Sequence, residues 1–243
     1  MLCLFLSMAW AETVQIFVYK VMQNNVEVGR RNIVITDIPS SILMPDGAKK
    51  IEITSDISFR IGGSDIRYQQ KGVGQFSLRK ANFVISNQLN NEITEFQGKR
   101  DSNGSWTVFT IREGSVQKQQ FSPLQVQYSS FELFLPKVRR VQDSFAYFFV
   151  DTEETLVKNS VWSDSNIRSF TGLESSAIEN SLQVHLPEFD INTVWNKDGI
   201  LLGANIFAFG TELSLVLEEL PKEIYFGEIG EKNDFSGIQE QEL

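Results

Sequence analysis

The stretch Lys49–Arg60 constrains this chain most. Ile51, Ile53, Ile57 and Phe59 share one parity, while Glu52, Thr54, Asp56, Ser58 and Arg60 share the other. Side chains alternate faces along an extended backbone, so the stretch predicts a strand with one dry face and one wet face. At ~3.3 Å per residue it would run roughly 40 Å, which is long for a strand. A chain that contains such an element needs long partners beside it and an apolar layer beneath it.

The same grammar recurs along the sequence. Val14–Met22 and Val26–Thr36 alternate around Gln23-Asn24-Asn25. Gly62-Gly63, Asn90-Asn91 and Asp101-Ser102-Asn103-Gly104 separate further runs, and such residues accept the backbone angles of tight hairpin turns. Asn192–Leu220 reads as a Trp-bearing strand, a Lys197-Asp198-Gly199 turn and two more strands. There, apolar residues fall on both faces, as in a central strand or the wall of a filled barrel. Phe131–Val141 has room for a short helix, made poor by Pro136. The expected fold is all-β: a long antiparallel meander curled into an open or closed barrel, with at most one or two short helices.

Composition narrows the function. The net charge of −9 lacks the basic field that nucleic acid requires. Met1–Trp10 is uncharged and apolar, and Ala9-Trp10-Ala11 fits a small-x-small cleavage site. Residues 1–11 are therefore read as a signal peptide, despite lacking a positive start. Residues 12–220 are read as a single domain, and residues 221–243 as an acidic tail. No run reaches the ~20 apolar residues of a membrane-spanning helix. The single cysteine, Cys3, lies in the leader, so a mature chain would have no thiol chemistry. Export without cysteines suits a periplasmic or secreted protein.

Candidate chemistry is sparse. His185 is the only histidine, and it sits on an alternating strand with no nucleophile or acid fixed by spacing. Glu153-Glu154 and Glu218-Glu219 are adjacent pairs, which a strand splits between opposite faces. Two short Asp/Asn/Ser stretches are explained by turns, and neither matches a calcium loop. The chain is therefore expected to be non-enzymatic, with no metal or other cofactor. The aromatic side chains carry the functional expectation, within a chain that has 19 phenylalanines. Phe145, Tyr147, Phe149, Trp195 and Phe207 are taken as candidates to line a cavity for a hydrophobic ligand, against the alternative that they fill the core.

Three segments carry a resemblance. FVYKVMQNNVEVG (Phe17–Gly29), GKRDSNGSWTV (Gly98–Val108) and TVWNKDGILLGANIFAFG (Thr193–Gly210) resemble an exported bacterial β-barrel family of unknown function. That family is distantly similar in fold to periplasmic lipoprotein-carrier half-barrels. The resemblance implies a broken barrel with a concave face, and no established activity. A lipid or other hydrophobic ligand, or an envelope partner, is the expected occupant. Two alternatives stand beside this: a carboxylate-dependent hydrolase, and an assembly module that offers a sheet edge.

Overall fold

A computed structural model describes residues 12–40, 47–126, 128–136, 144–149, 156–161, 163–164, 170–179, 181–186, 191–208, 211–221 and 223–226. The leader assigned to residues 1–11 and the end of the tail lie outside them. Eight strands follow one another as a meander: β1 (Glu12–Gln23), β2 (Val26–Ile38), β3 (Ala48–Ile61), β4 (Ser64–Phe76), β5 (Ala81–Leu89), β6 (Glu92–Arg100), β7 (Trp106–Arg112) and β8 (Ser115–Phe121). The turns at Asn24-Asn25, Gly62-Gly63, Asn90-Asn91 and Asp101-Ser102-Asn103-Gly104 are ones the sequence marks, whereas those at 77–80 and 113–114 were not foreseen. Asn24 and Asn25 have φ of 50° and 64°, and Gly62 and Gly63 have 54° and 91°. Paired positive φ angles give a two-residue turn whose twist matches that of the flanking strands.

Three strands form a small separate sheet: β9 (Tyr128–Ser129), β10 (Ser144–Phe149) and β11 (Leu156–Val161). The chain then adds β12 (Ser163–Asp164), β13 (Leu182–Leu186), β14 (Ile191–Trp195), β15 (Leu201–Ala208), β16 (Thr211–Leu217) and β17 (Glu223–Phe226). The main sheet has 14 strands, in the order β12-β13-β14-β15-β16-β1 and on through β8, with β17 also pairing β1. β1 thus sits inside the sheet, between β2 and β16. β17 falls within the stretch read as tail, where Ile224, Tyr225 and Phe226 extend the sheet past Leu220. Among the described residues β8 and β12 do not pair with each other, so the sheet is open and barrel-like rather than closed.

One face of this sheet makes the core. Phe17, Ile33, Ile51, Phe83, Phe96 and Trp106 are each 2% exposed or less and belong to one cluster that reaches Leu217. Burying each such side chain contributes roughly 1.5–3 kcal/mol. On β14–β16 the opposite face is covered too. Phe170 and Ile178, the latter on the short helix α1 (Ser175–Glu179), pack with Val194 and Val216 in a second cluster. This explains the two-sided apolar pattern of the terminal strands. A bulge at Trp195 pairs it with Leu201 while Val194 pairs with Gly203, and it turns Leu201 and Ala204 to the same core.

Candidate functional site

The curled sheet encloses a trough, and the chain fills that trough with its own residues. β9 leads into a single 3-10 turn, Ser130–Leu133, which ends before Pro136. Phe131 from this turn is 1% exposed. Its ring lies 5.2 Å from Phe83 and 5.7 Å from Phe76, centroid to centroid. A Cβ on Gly72 would stand 3.0 Å from the tip of Phe131, so glycine makes the hollow that receives the ring. Phe134 follows, edge-on to Tyr19 at 6.1 Å, with the Arg31 guanidinium 5.9 Å from its ring centre. Offset and edge contacts of this kind add about 0.5–1.5 kcal/mol beyond burial.

An ion pair pins this plug to the wall. Arg100 Nη1 on β6 donates to Glu132 Oε1 at 3.0 Å, and both side chains are 9% exposed. The Ser129 amide donates to Glu132 Oε2 at 2.8 Å. Arg100 Nη2 donates to the Ser77 carbonyl at 2.9 Å, and its guanidinium lies 5.3 Å over the Trp106 ring. Burial pushes the Glu132 carboxyl above its usual range, while the Arg100 charge and the Ser129 amide pull it back.

A polar belt crosses the inner wall at one level. Strand register places Tyr19 beside Arg31, Arg31 beside Ser55, Ser55 beside Gln70, Gln70 beside Asn87 and Asn87 beside Thr94. Arg31 Nε donates to Ser55 Oγ at 2.9 Å, and Gln70 Nε2 donates to Asn87 Oδ1 at 3.0 Å. The Tyr19 hydroxyl donates to the Leu201 carbonyl at 3.0 Å, across to the terminal strands. Hydrogen bonds of this kind offset the cost of burying polar groups under an apolar layer.

Between belt, plug and terminal strands remains a cavity of about 50 Å³, lined by Arg31, Gln70, Phe131, Phe134, Thr193 and Trp195 among others. That is room for a few waters, well short of the roughly 300–1,000 Å³ that holds a small organic ligand. A larger recess of about 450 Å³ lies on the outer, wet face, between polar side chains such as Asn32, Asp56, Gln69 and Lys71.

The residues proposed from sequence separate. Trp195 reaches the cavity; it is buried and donates its Nε1 to Thr193 Oγ1 at 2.8 Å. Phe145, Tyr147 and Phe149 lie on β10, in the small sheet, where Tyr147 pairs with Tyr128 next to the plug. Phe207 lies on β15 opposite Glu212. The side chains of these four lie outside the described part of the structure. His185 Nδ1 sits 3.1 Å from Asn192 Oδ1 on the neighbouring strand. Glu218 makes ion pairs with Lys20 and Arg30, at 3.0 and 3.4 Å. Glu153 and Glu154 are outside the described residues. Among those described, no three metal-ligating side chains gather. Sequence reading missed Phe131, Glu132, Arg100 and the belt. The signals were there: Ser129-x-x-Glu132 has capping-box spacing, and Ser55 sits in the apolar parity of β3.

Fold and site together define a β-barrel-like protein with an open sheet and a self-filled trough. The same architecture is known from a crystal structure, that of a β-barrel-like protein of a domain of unknown function, DUF1849, from Brucella abortus. The two superpose with a TM-score of 0.54 over 86% of this chain and 97% of that one, at 9% sequence identity. The likeness is one of fold. No family model matches the sequence, and no curated protein matches it.

Proposed function

We propose that this protein is an exported, non-enzymatic binding protein of the cell envelope, periplasmic or secreted. Its concave inner face would receive a hydrophobic or lipid-like ligand, or an apolar segment of an envelope partner. One observation carries this reading: beside the wall's own side chains, part of the trough is filled by an insert. Phe131, Leu133 and Phe134 come from a single turn and an adjoining loop, and no strand ladder of the main sheet runs through them. The plug lies outside the ladders of the main sheet, and the space it takes is mostly apolar, with Arg31, Gln70 and Arg100 at its border. The apolar leader and the location of the only cysteine within it support export.

Native mass spectrometry of the protein purified from its host tests the binding. The expected result is a bound mass that organic solvent releases. Cell fractionation tests the location. The reading fails if host-purified protein carries nothing and a Phe131→Ala variant, with its plug loosened, takes up no apolar dye.

A second reading, an assembly module, is favoured by β8. Every residue from Ser115 to Gln120 is exposed, and among the described residues the strand pairs only with β7. It stands second because Lys118 lies in the middle of that edge, where natural sheets use lysine to discourage added strands. The hydrolase alternative gains no support from Glu132, whose oxygens are engaged by Arg100 and Ser129.

A further inference from the structure

We infer that one rim of the main sheet docks on a phospholipid bilayer, with Leu78 and Leu124 as its apolar anchors. Among the exposed large apolar residues of the described part, these two are the most exposed, at 80% and 91%. One exposed leucine needs no explanation, but two on neighbouring turns of one rim ask for one. Strand register defines that rim. Lys49 pairs with Phe76, Phe76 with Ala81, Ala81 with Arg100, Arg100 with Trp106 and Trp106 with Phe121. The turns at 77–80, 101–105 and 122–125 all leave from this one row, and they touch. Arg100 Nη2 donates to the Ser77 carbonyl at 2.9 Å, and a Cβ on Gly104 would stand 3.2 Å from the Pro123 ring. Three to four strand spacings separate the two leucines, roughly 15–20 Å along the rim.

Both tips are held outward by turns that are tied down. Phe76 and Ala81, on either side of the first turn, are each 4% exposed. The Ser77 amide and hydroxyl donate to the Lys80 carbonyl at 2.8 and 2.9 Å, and the Lys80 amide donates to Ser77 Oγ at 3.0 Å. In the second turn the Gln125 and Val126 amides donate to the Ser122 carbonyl at 3.0 and 3.1 Å, and Val126 is fully buried. An apolar side chain fixed in water in this way gains free energy only when something apolar covers it. The surroundings favour lipid over protein. Polar turn residues, Asp101–Ser105, lie between the tips, whereas a protein interface needs a continuous patch of about 800 Å² per partner with an apolar centre. Separate apolar points can each enter the boundary between headgroups and acyl chains. Arg79 and Lys80 are exposed beside Leu78, where they meet headgroup phosphate, and the acidic Asp101 is answered by Lys99 at 3.7 Å. The charge of the chain is divided accordingly. Residues 12–121 carry 14 Lys and Arg against 11 Asp and Glu, and the acidic excess lies in the rest.

The test is co-sedimentation of the full chain with mixed phosphatidylcholine–phosphatidylglycerol vesicles. Wild type should sediment, and the double variant Leu78→Ser with Leu124→Ser should lose at least about tenfold in partitioning. Val26→Ser, at the β1–β2 turn of the opposite rim and 63% exposed, should leave partitioning unchanged. Lys80→Gln should weaken binding about fivefold on the mixed vesicles and little on pure phosphatidylcholine. Every substituted side chain is exposed, so circular dichroism should show native folds. In a Leu78→Trp variant, lipid brominated on its acyl chains should quench the added emission. Absence of wild-type sedimentation, or undiminished partitioning of the double serine variant, would overturn the inference. Binding without quenching at position 78 would place the contact on another face and overturn it as well. An equal effect of Lys80→Gln on both vesicle types would remove the headgroup contact. Self-association of the wild type without lipid, lost in the double serine variant, would make the tips a protein contact and the bilayer assignment would fall.

Discussion

Arg100 and Glu132 are each nearly as buried as core residues, so breaking the pair one-sidedly has a large expected effect. Arg100→Ala strands a buried carboxyl and should cost about 3–5 kcal/mol in urea unfolding, whereas Glu132→Gln keeps an acceptor and costs less. The sign of the pH effect follows from burial. Glu132 holds its proton more tightly folded than unfolded. Its contribution is therefore fully present below its ordinary value of 4.5 and is lost as pH rises through its higher folded value. Subtracting the Glu132→Gln stability curve from that of wild type should isolate this decline; a flat difference would refute it. At this scale the site was only partly legible in the sequence. Trp195 was named because aromatics stand out, and it borders a residual cavity of about 50 Å³, too small for the ligand it was named for. Arg100 falls just before the Asp101-Ser102-Asn103-Gly104 turn, and no sequence pattern singles it out. Its meaning comes from Glu132, 32 residues away along the chain, which no local pattern pairs with it.

The strands were far more legible, because parity and turn residues act locally. The hairpins around Asn24-Asn25, Gly62-Gly63 and Asn90-Asn91 form where those residues sit. What local signals could not show was how distant strands meet: that β16 flanks β1, or that β9 pairs in parallel with β10. Two element-level expectations follow. A Cβ on Gly98 of β6 would fall 2.1 Å from the Phe83 ring of β5. Gly98→Ala should therefore destabilise by roughly 1–3 kcal/mol, read as a lowered urea midpoint. On β8, Lys118→Val removes the charge from an exposed edge. Light scattering should then show association at concentrations where the wild type stays monodisperse or holds its native oligomer. Unchanged scattering would mean that the edge is protected by something other than Lys118.

The two meanders share one apolar interior, since the main cluster contains Phe17, Trp106, Trp195 and Leu217 alike. The molecule should consequently unfold in a single step. Far-UV and near-UV circular dichroism should give coincident denaturation curves, and separated curves would show that the halves come apart independently. The placement of β1 has a further consequence during synthesis. Strand β1 meets β2 as soon as the early hairpin emerges, but Tyr19 waits for Leu217, 198 positions further along (217 − 19). Over that interval a row of amide and carbonyl groups on its other flank has no native mate, and any passing extended segment can borrow it. A nascent chain of this design is safest when kept from pairing until its last strands arrive, so a holding chaperone suits it better than rapid folding from the N-terminus.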